Sequence, residues 1–487
     1  VAALREAIKS TAKFVPGVGA YEQGAGLFDV QAAFHRLQDN VSPVSVTASV
    51  PVNTVLGGQL KPTANVGVGI YDHEGVTPGK AYTRTYTLTR TSGPNRNTRY
   101  DVQWTGNDGT FRSAGSVVLP LNKPVSFEVK VNPRSAGIHS AVLKVAGTSL
   151  LTMNTVVAVT DFAQANAYTL SNNASVGRNE STSVFVRVPA GASALKVDMA
   201  ASTGQIRFLR NDPSGVPLDS NTSTNCYSPD AGAGCAGGSP ISRTVVNPMP
   251  GVWEIAVESR RTSDALHTPF TITSSLIGTK ISPDPDTIAS ATLGVPVARE
   301  YSVANQLAAF TGKLVGGTLG SRATSRPTIA TGDVQKIDVT VPAGMSSFSA
   351  KIGNPADRGA DLDMIVYDCT SGACVQAGTS GGSTAEEQVT IANPAAGHWQ
   401  VEIDGFDVPA GTTAYDYSDI YVSPSLGSVA VNDSNAGRAS GSTWVVPGTV
   451  TALAAPGAGR VLVGELHLVA EDGSVVGRSS VVVQSVS

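Results

Sequence analysis

The residues with types and spacings able to do chemistry are one serine, six histidines, a run of aspartates and four cysteines. A nucleophilic serine needs a histidine oriented by an acid, and in many hydrolases a helix start to present it. Gly378-Thr-Ser380 continues as Gly-Gly-Ser-Thr with no helical pattern after it, so Ser380 is read as a decoy. His73 and Glu74 can be drawn with Asp108 as an acid–base group, but turn residues at strand ends explain them better. Histidines 35, 73, 139, 267, 398 and 467 are scattered singly. Those in or beside strands are read as packing or surface residues. No HExxH, P-loop or Rossmann glycine pattern occurs. Asp357, Asp361, Asp363 and Asp368 form an oxygen-rich run of the kind that suits Ca²⁺, with Asp361 and Asp363 on one strand face. A solvated acidic face is the competing and preferred reading, and no cofactor is required.

The cysteines fall as Cys226 with Cys235 and Cys369 with Cys374, each pair in a Gly/Ser/Asn-rich stretch without neighbouring histidines. Zinc is therefore a poor fit. Two local disulfides are expected, and with them an oxidising, extracellular location.

These groups must be positioned by a large, turn-rich chain. Its 487 residues, at roughly 100–200 per domain, suggest several domains. Apolar residues at 41% permit sizeable cores, while 51 glycines and 28 prolines with no helical periodicity after residue 40 point to β-architecture. The net charge of −4 is evenly spread, with no basic stripe for nucleic acid. No apolar run is long enough to span a membrane.

Two helical patterns open the chain. Leu4, Ala7, Ile8 and Thr11 share one helix face; Val30, Ala33, Phe34 and Leu37 share another, with Asp29 as N-cap. Such a pair cannot bury its own apolar faces, so residues 1–39 are expected to be the end of a domain whose remainder lies upstream. Residues 41–56 alternate and carry prolines, which suits a linker becoming an edge strand. Farther on, Val125, Phe127, Val129 and Val131 alternate with polar residues, the mark of a half-buried strand.

An internal repeat follows. Val184-Phe-Val-Arg-Val-Pro-Ala-Gly191 recurs as Ile337-Asp-Val-Thr-Val-Pro-Ala-Gly344. The Asn-Pro…Gly stretch before Trp253 recurs before Trp399. Each copy spans roughly 100 residues, domain-sized, with its cysteine pair between the landmarks. Trp253, Ile255 and Val257, and likewise Trp399, Val401 and Ile403, are expected to face a core.

Three segments carry resemblances. Lys9-Ser-Thr-Ala12, Tyr21-Glu-Gln-Gly-Ala-Gly-Leu-Phe-Asp29 and the Ala-rich helix after them resemble the closing segment of subtilisin-like serine peptidase domains. Gly69-Ile-Tyr-Asp-His-Glu-Gly75, Thr89-Arg-Thr-Ser-Gly-Pro94 and Trp104–Phe111 resemble the fibronectin type III-like domain of large secreted subtilases, with Val76 where a Trp is expected. The repeat copies resemble the bacterial pre-peptidase C-terminal domain, a jelly-roll-like sandwich; Asp361–Asp368 is the best match to its acidic strand, and the first copy lacks those acids.

The expected organisation is mainly β, a series of tandem sandwiches. Residues 1–39 are the helical tail of a subtilase catalytic domain and 41–160 the fibronectin type III-like sandwich. Residues 161–279 and 327–425 are the two repeat copies. Segments 280–326 and 426–487 together make one discontinuous immunoglobulin-like sandwich.

The resemblance implies a secreted subtilisin-like serine endopeptidase, with this chain its noncatalytic C-terminal part. The family's Gly-Thr-Ser-Met-Ala nucleophile motif is absent from these residues. The expected partner is the upstream catalytic domain, with a protein or polysaccharide substrate, no nucleic acid and no membrane insertion. The alternative is an extracellular binding module for polysaccharide, matrix or cell surface.

Overall fold

A computed structural model describes residues 2–39, 44–201, 203–219 and 241–487. The chain forms two compact units, Val1–Leu276 and Ile277–Ser487. Cys226 and Cys235 lie outside the described residues.

The first unit opens with helices α1 (Ala2–Thr11), α2 (Ala20–Gln23) and α3 (Val30–Gln38). Asp29 caps α3 by accepting from the Ala32 amide at 2.9 Å. Gly26 has φ +113° and a Cβ there would strike the Lys13 carbonyl, so only glycine lets Lys13 and Leu27 pair. A sandwich follows, built of β1 (Val46–Pro51), β2 (Val66–Gly67), β3 (Tyr71–Val76), β4 (Tyr82–Arg90), β5 (Thr98–Thr105), β6 (Phe111–Ser113), β7 (Ser116–Leu119), β8 (Pro124–Val131), β9 (Gly137–Val145) and β10 (Leu151–Ala158). Its sheets run β2-β1-β4-β8-β6 and β3-β10-β9-β5-β7. Strand β1 is thus interior, not the edge its prolines suggested. Pro51 stands at its last position, where a missing N–H interrupts only the end of the ladder.

The alternation in β4 and β8 buries Tyr86, Leu88, Phe127, Val129 and Val131. Among them lies Asp72 of β3, almost wholly removed from water. It accepts from Tyr82 Oη at 2.6 Å and from Arg84 Nε and Nη2 at 2.9 and 2.8 Å, all on β4 of the opposite sheet.

The rest of this unit holds β11 (Thr169–Gly177), β12 (Ser181–Val188), β13 (Ala194–Ala201), β14 (Ile206–Asn211), β15 (Ser242–Val246), β16 (Gly251–Ser259) and β17 (His267–Ile277). They form sheets β11-β17-β13-β15 and β12-β16-β14.

In the second unit, β18 (Thr279–Ser282), β19 (Asp286–Ile288), β20 (Val297–Asn305), β21 (Phe310–Gly316) and β22 (Gly320–Ser325) come first. Then follow β23 (Thr328–Ala330), β24 (Val334–Val341), β25 (Ser347–Gly353), β26 (Asp361–Asp368), β27 (Val375–Ser380), β28 (Glu387–Ala392), β29 (Gly397–Asp407), β30 (Thr412–Ala414) and β31 (Asp416–Val422). The last strands are β32 (Gly427–Val431), β33 (Ala436–Arg438), β34 (Thr443–Ala452), β35 (Val461–Ala470) and β36 (Val475–Val483). One sheet is β18-β20-β34-β32, and another, β24-β29-β26-β27. A nine-stranded sheet runs β19-β36-β35-β22-β31-β25-β28, with β21 and β33 branching from β35. Early strands therefore pair with late ones, β20 with β34 and β19 with β36.

The repeat is visible strand by strand. Sheet β12-β16-β14 has the connectivity of β24-β29-β26, and β11-β17-β13-β15 that of β22-β31-β25-β28. Val186 opposes Trp253 as Val339 opposes Trp399. Each indole is buried and donates to a carbonyl of the turn before it, Met249 at 2.8 Å and Ala395 at 2.9 Å. Asn247 and Asn393 begin those turns at φ 49° and 47°, a left-handed conformation asparagine tolerates.

Replacing Trp253 or Trp399 by Ala removes the largest buried side chain of its sandwich and should cost about 3–5 kcal/mol. Denaturant unfolding of the 487-residue chain checks this; a loss below about 1 kcal/mol would show the indoles to be peripheral.

Candidate functional site

Ser380 is the last residue of β27, an edge strand, and its hydroxyl donates to the Glu387 carboxylate. Glu387 is buried and also accepts from the Gly382 amide at 2.9 Å. The serine ties the end of β27 to the start of β28, a connection between two sheets, and no helix start presents it.

His73 and Asp108 are not brought together. His73 Nδ1 lies 2.9 Å from Glu74, whereas Asp108 lies 2.5 Å from Nδ1 of His139. The other nitrogen of His139 meets the Ser135 carbonyl at 2.9 Å. Both ring nitrogens thus hold loops in place instead of facing a hydroxyl. Partial burial opposes ionisation of Asp108, but hydrogen bonds from His139 and Thr110 outweigh it and hold the carboxyl below its ordinary value. His139 is thus no lone strand histidine: its acid comes from the 107–110 loop, a partnership that sequence spacing does not reveal.

His73 and Glu74 are not turn residues either. They lie within β3, and Glu74 accepts from the Val252 amide at 2.9 and 3.1 Å. Arg187 of β12 donates to the Val76 carbonyl at 2.8 Å and pairs with Asp161 at 2.7 Å. Val157, Val159 and Val252 form a small core beside them, with Ile138 and Phe185 packed against it. This polar and apolar seam joins the first sandwich to the first repeat copy.

The four aspartates proposed as calcium donors are not gathered into one shell. Asp357 caps a turn, accepting from the amides of Gly359 and Ala410, and Asp368 accepts from Thr370. Among the described residues no group of three or more His, Cys, Asp or Glu side chains is arranged to hold a metal ion. Asp361 and Asp363 do share a face of β26, where they oppose Asp407 and Asp404 of β29. The equivalent position in the first copy holds an ion pair, Arg207 with Glu258 at 2.8 Å. Desolvation, then the charges of Asp361, Asp404 and Glu387, push the Asp363 carboxyl above its ordinary value. Cys369 and Cys374 are joined in a disulfide on the loop after this strand.

The helical tail leaves an apolar surface open. α1 packs against α3, and Ala7 and Ala33 are buried, while Leu4, Val30 and Phe34 stay 50%, 67% and 57% exposed. Leu27 and Phe28 add to it. α2 lies against β9 and β10, its Tyr21 amide donating to Ser140 Oγ at 3.3 Å. Among the described residues no helix is long and apolar enough to cross a membrane.

Residues 45–163 match a family described as the Ig-like domain in actinomycete serine proteases. That segment is an Ig-like domain. The match bears the immunoglobulin-like description instead of the fibronectin type III-like one expected. Pyrolysin of Pyrococcus furiosus is 27% identical over 170 residues, 34% of this chain and 12% of the relative. The crystal structure of tripeptidyl peptidase 2 (TPP II) superposes with a TM-score of 0.54 at 13% identity, over 99% of this chain and 44% of that one. The chain thus spans a small part of pyrolysin and under half of TPP II. The latter likeness is one of fold.

The Asp363–Asp404 opposition has a pH signature. The raised value means that ionising Asp363 works against the fold. The penalty is absent below the ordinary aspartate range near about 3.9 and develops as pH rises through the raised value. Asp363→Asn should therefore stabilise the second unit at pH 7 by about 0.5 kcal/mol and leave it unchanged at pH 3. Asp363→Arg, recreating the pair of the first copy, should stabilise it further. Thermal unfolding at both pH values reads this out, and an increment independent of pH would contradict it.

Proposed function

We propose that this chain is the noncatalytic, β-sandwich portion of a secreted subtilisin-like serine peptidase, with the helical tail docking onto a catalytic domain that precedes it. The observation that carries the proposal is the open face of α1 and α3. Large apolar side chains left open on a secreted protein mark a contact site, and the tail that carries these is tied to the Ig-like domain by the Tyr21–Ser140 hydrogen bond. The match of that domain to serine protease accessory domains supports the same reading. The seam at Glu74 and Val252 would make the first unit a firm brace. The continuous nine-stranded sheet would do the same for the second.

Exposed aromatics argue against the polysaccharide-binding alternative. A sugar-binding sandwich presents them in a row on one face. Among the described residues, the large exposed aromatics Tyr21, Phe28 and Phe34 belong to the tail, and Tyr71 and Phe406 belong to different sandwiches.

A fluorophosphonate probe, which labels activated serines, tests the proposal. The 487-residue chain should remain unlabelled and should not degrade casein. The parent polypeptide with its preceding domain should be labelled there and be active. Labelling at Ser380, abolished by Ser380→Ala, or an inert parent polypeptide, would overturn it.

A further inference from the structure

A hollow of about 530 Å³ lies where β2 and β3 of the Ig-like domain meet the first repeat copy. Its walls are mostly apolar: Leu56, Leu60, Val68, Tyr71 and Met153 on one side and Pro213 on the other. That volume is within the range of roughly 300–1,000 Å³ typical of ligand sites, and joints between domains are where such sites concentrate.

The hollow is built by the backbone. Val68 stands between two glycines. At Gly69 a Cβ would fall 2.0 Å from the Met153 carbonyl oxygen, so glycine lets this segment close onto β10. Thr152 Oγ1 fixes the Val68 carbonyl at 2.9 Å. The Val68 side chain is left 72% exposed at the rim, with Tyr71 and Met153 also open to solvent. Beside them β2 is the last strand of its sheet, so its outer edge offers backbone groups without a strand partner.

The charge here has one sign. Glu254 lines the hollow, held by the uncharged donors Ser183 Oγ at 2.5 Å and Asn211 Nδ2 at 3.0 Å. Glu74 stands close by, held by the Val252 amide, with His73 as its neighbour. Among the described residues no lysine or arginine lines the hollow. Burial, and then the charges of Glu254 and Glu74, raise the Tyr71 hydroxyl above its ordinary value, in keeping with a negative field.

We infer that this hollow recognises an extended peptide segment carrying an apolar side chain next to a lysine or arginine. The apolar group fills the space between Val68, Tyr71, Met153 and Pro213, and the cation faces Glu254. The peptide backbone lies along the free edge of β2, as in strand-addition recognition. This holds whether or not a peptidase domain accompanies the chain, so its failure and that of the proposed function are separately visible.

Isothermal titration of the 487-residue chain tests it with three acetylated, amidated hexapeptides: Ser-Leu-Lys-Val-Lys-Ser, the same with both Lys replaced by Glu, and the same with Leu and Val replaced by Ser. The first should bind at least tenfold more tightly than either of the others, and more weakly as salt is raised. Val68→Lys, at an exposed position, should leave the unfolding midpoint unchanged and weaken the first peptide at least tenfold. Glu254→Gln should reduce its preference over the Glu peptide by a similar factor. Equal binding of the Lys and Glu peptides, no binding at millimolar concentration, or unchanged affinity in the correctly folded Val68→Lys chain would overturn the inference.

Discussion

The structure depends on buried carboxylates that one sheet supplies and the opposite sheet neutralises. An unpaired buried charge costs several kcal/mol, so Asp72 is tolerable only because Arg84 and Tyr82 reach it across the sandwich. The same device holds the sandwich of the second unit. Asp286 is fully buried on β19 and accepts from Arg299 and from Tyr301 Oη, both on β20. In each case the acid lies on a strand that runs parallel to the sandwich's final strand, β3 beside β10 and β19 beside β36. The two sandwiches are thus variants of one plan, and each is accompanied by one copy of the Trp-centred repeat. They differ in how the copy is attached. In the first unit it follows the sandwich, while in the second its strands fall between β21 and β32.

That interruption is stabilised where β22 pairs with β31 of the repeat and β35 of the sandwich. Arg460 closes the joint, bonding Asp419 at 2.6 Å and Ser321 Oγ at 2.7 Å while lying over the Tyr421 ring. Tyr417 donates to the other oxygen of Asp419. A mostly covered guanidinium with this many fixed acceptors holds the repeat's strand and the sandwich's strand in one register within the shared sheet.

Much of this was legible in residue order. Period-two alternation located β8, β16 and β29, and the Asn-Pro…Gly turns before Trp253 and Trp399 located the repeat. The exposed face of the tail was also readable, although Ala7 and Ala33 proved to be buried and Ile8 and Leu37 half-buried. Pairings across long separations were not legible. Asp72 reads as an ordinary acid between Tyr and His, and Asp108 gives no sign that it reaches His139. A usable signal did exist, because Tyr82-Thr-Arg84 and Arg299-Glu-Tyr301 each place a tyrosine and an arginine two residues apart, on one face of a strand. It escapes notice because the spacing to the preceding aspartate differs. The prolines near β1 misled for a simple reason: composition shows that a ladder is interrupted, and says nothing of whether its other edge is occupied.

The central functional claim rests on α1 and α3 having a partner. Amide hydrogen exchange over residues 30–38 tests this most directly, compared between the 487-residue chain and the parent polypeptide with its preceding domain. If the open face is a docking surface, α3 amides should exchange at least tenfold more slowly in the longer polypeptide, with β9 and β10 unchanged. Equal exchange in the two would contradict the account, because the apolar face would then be as open in the parent as it is here.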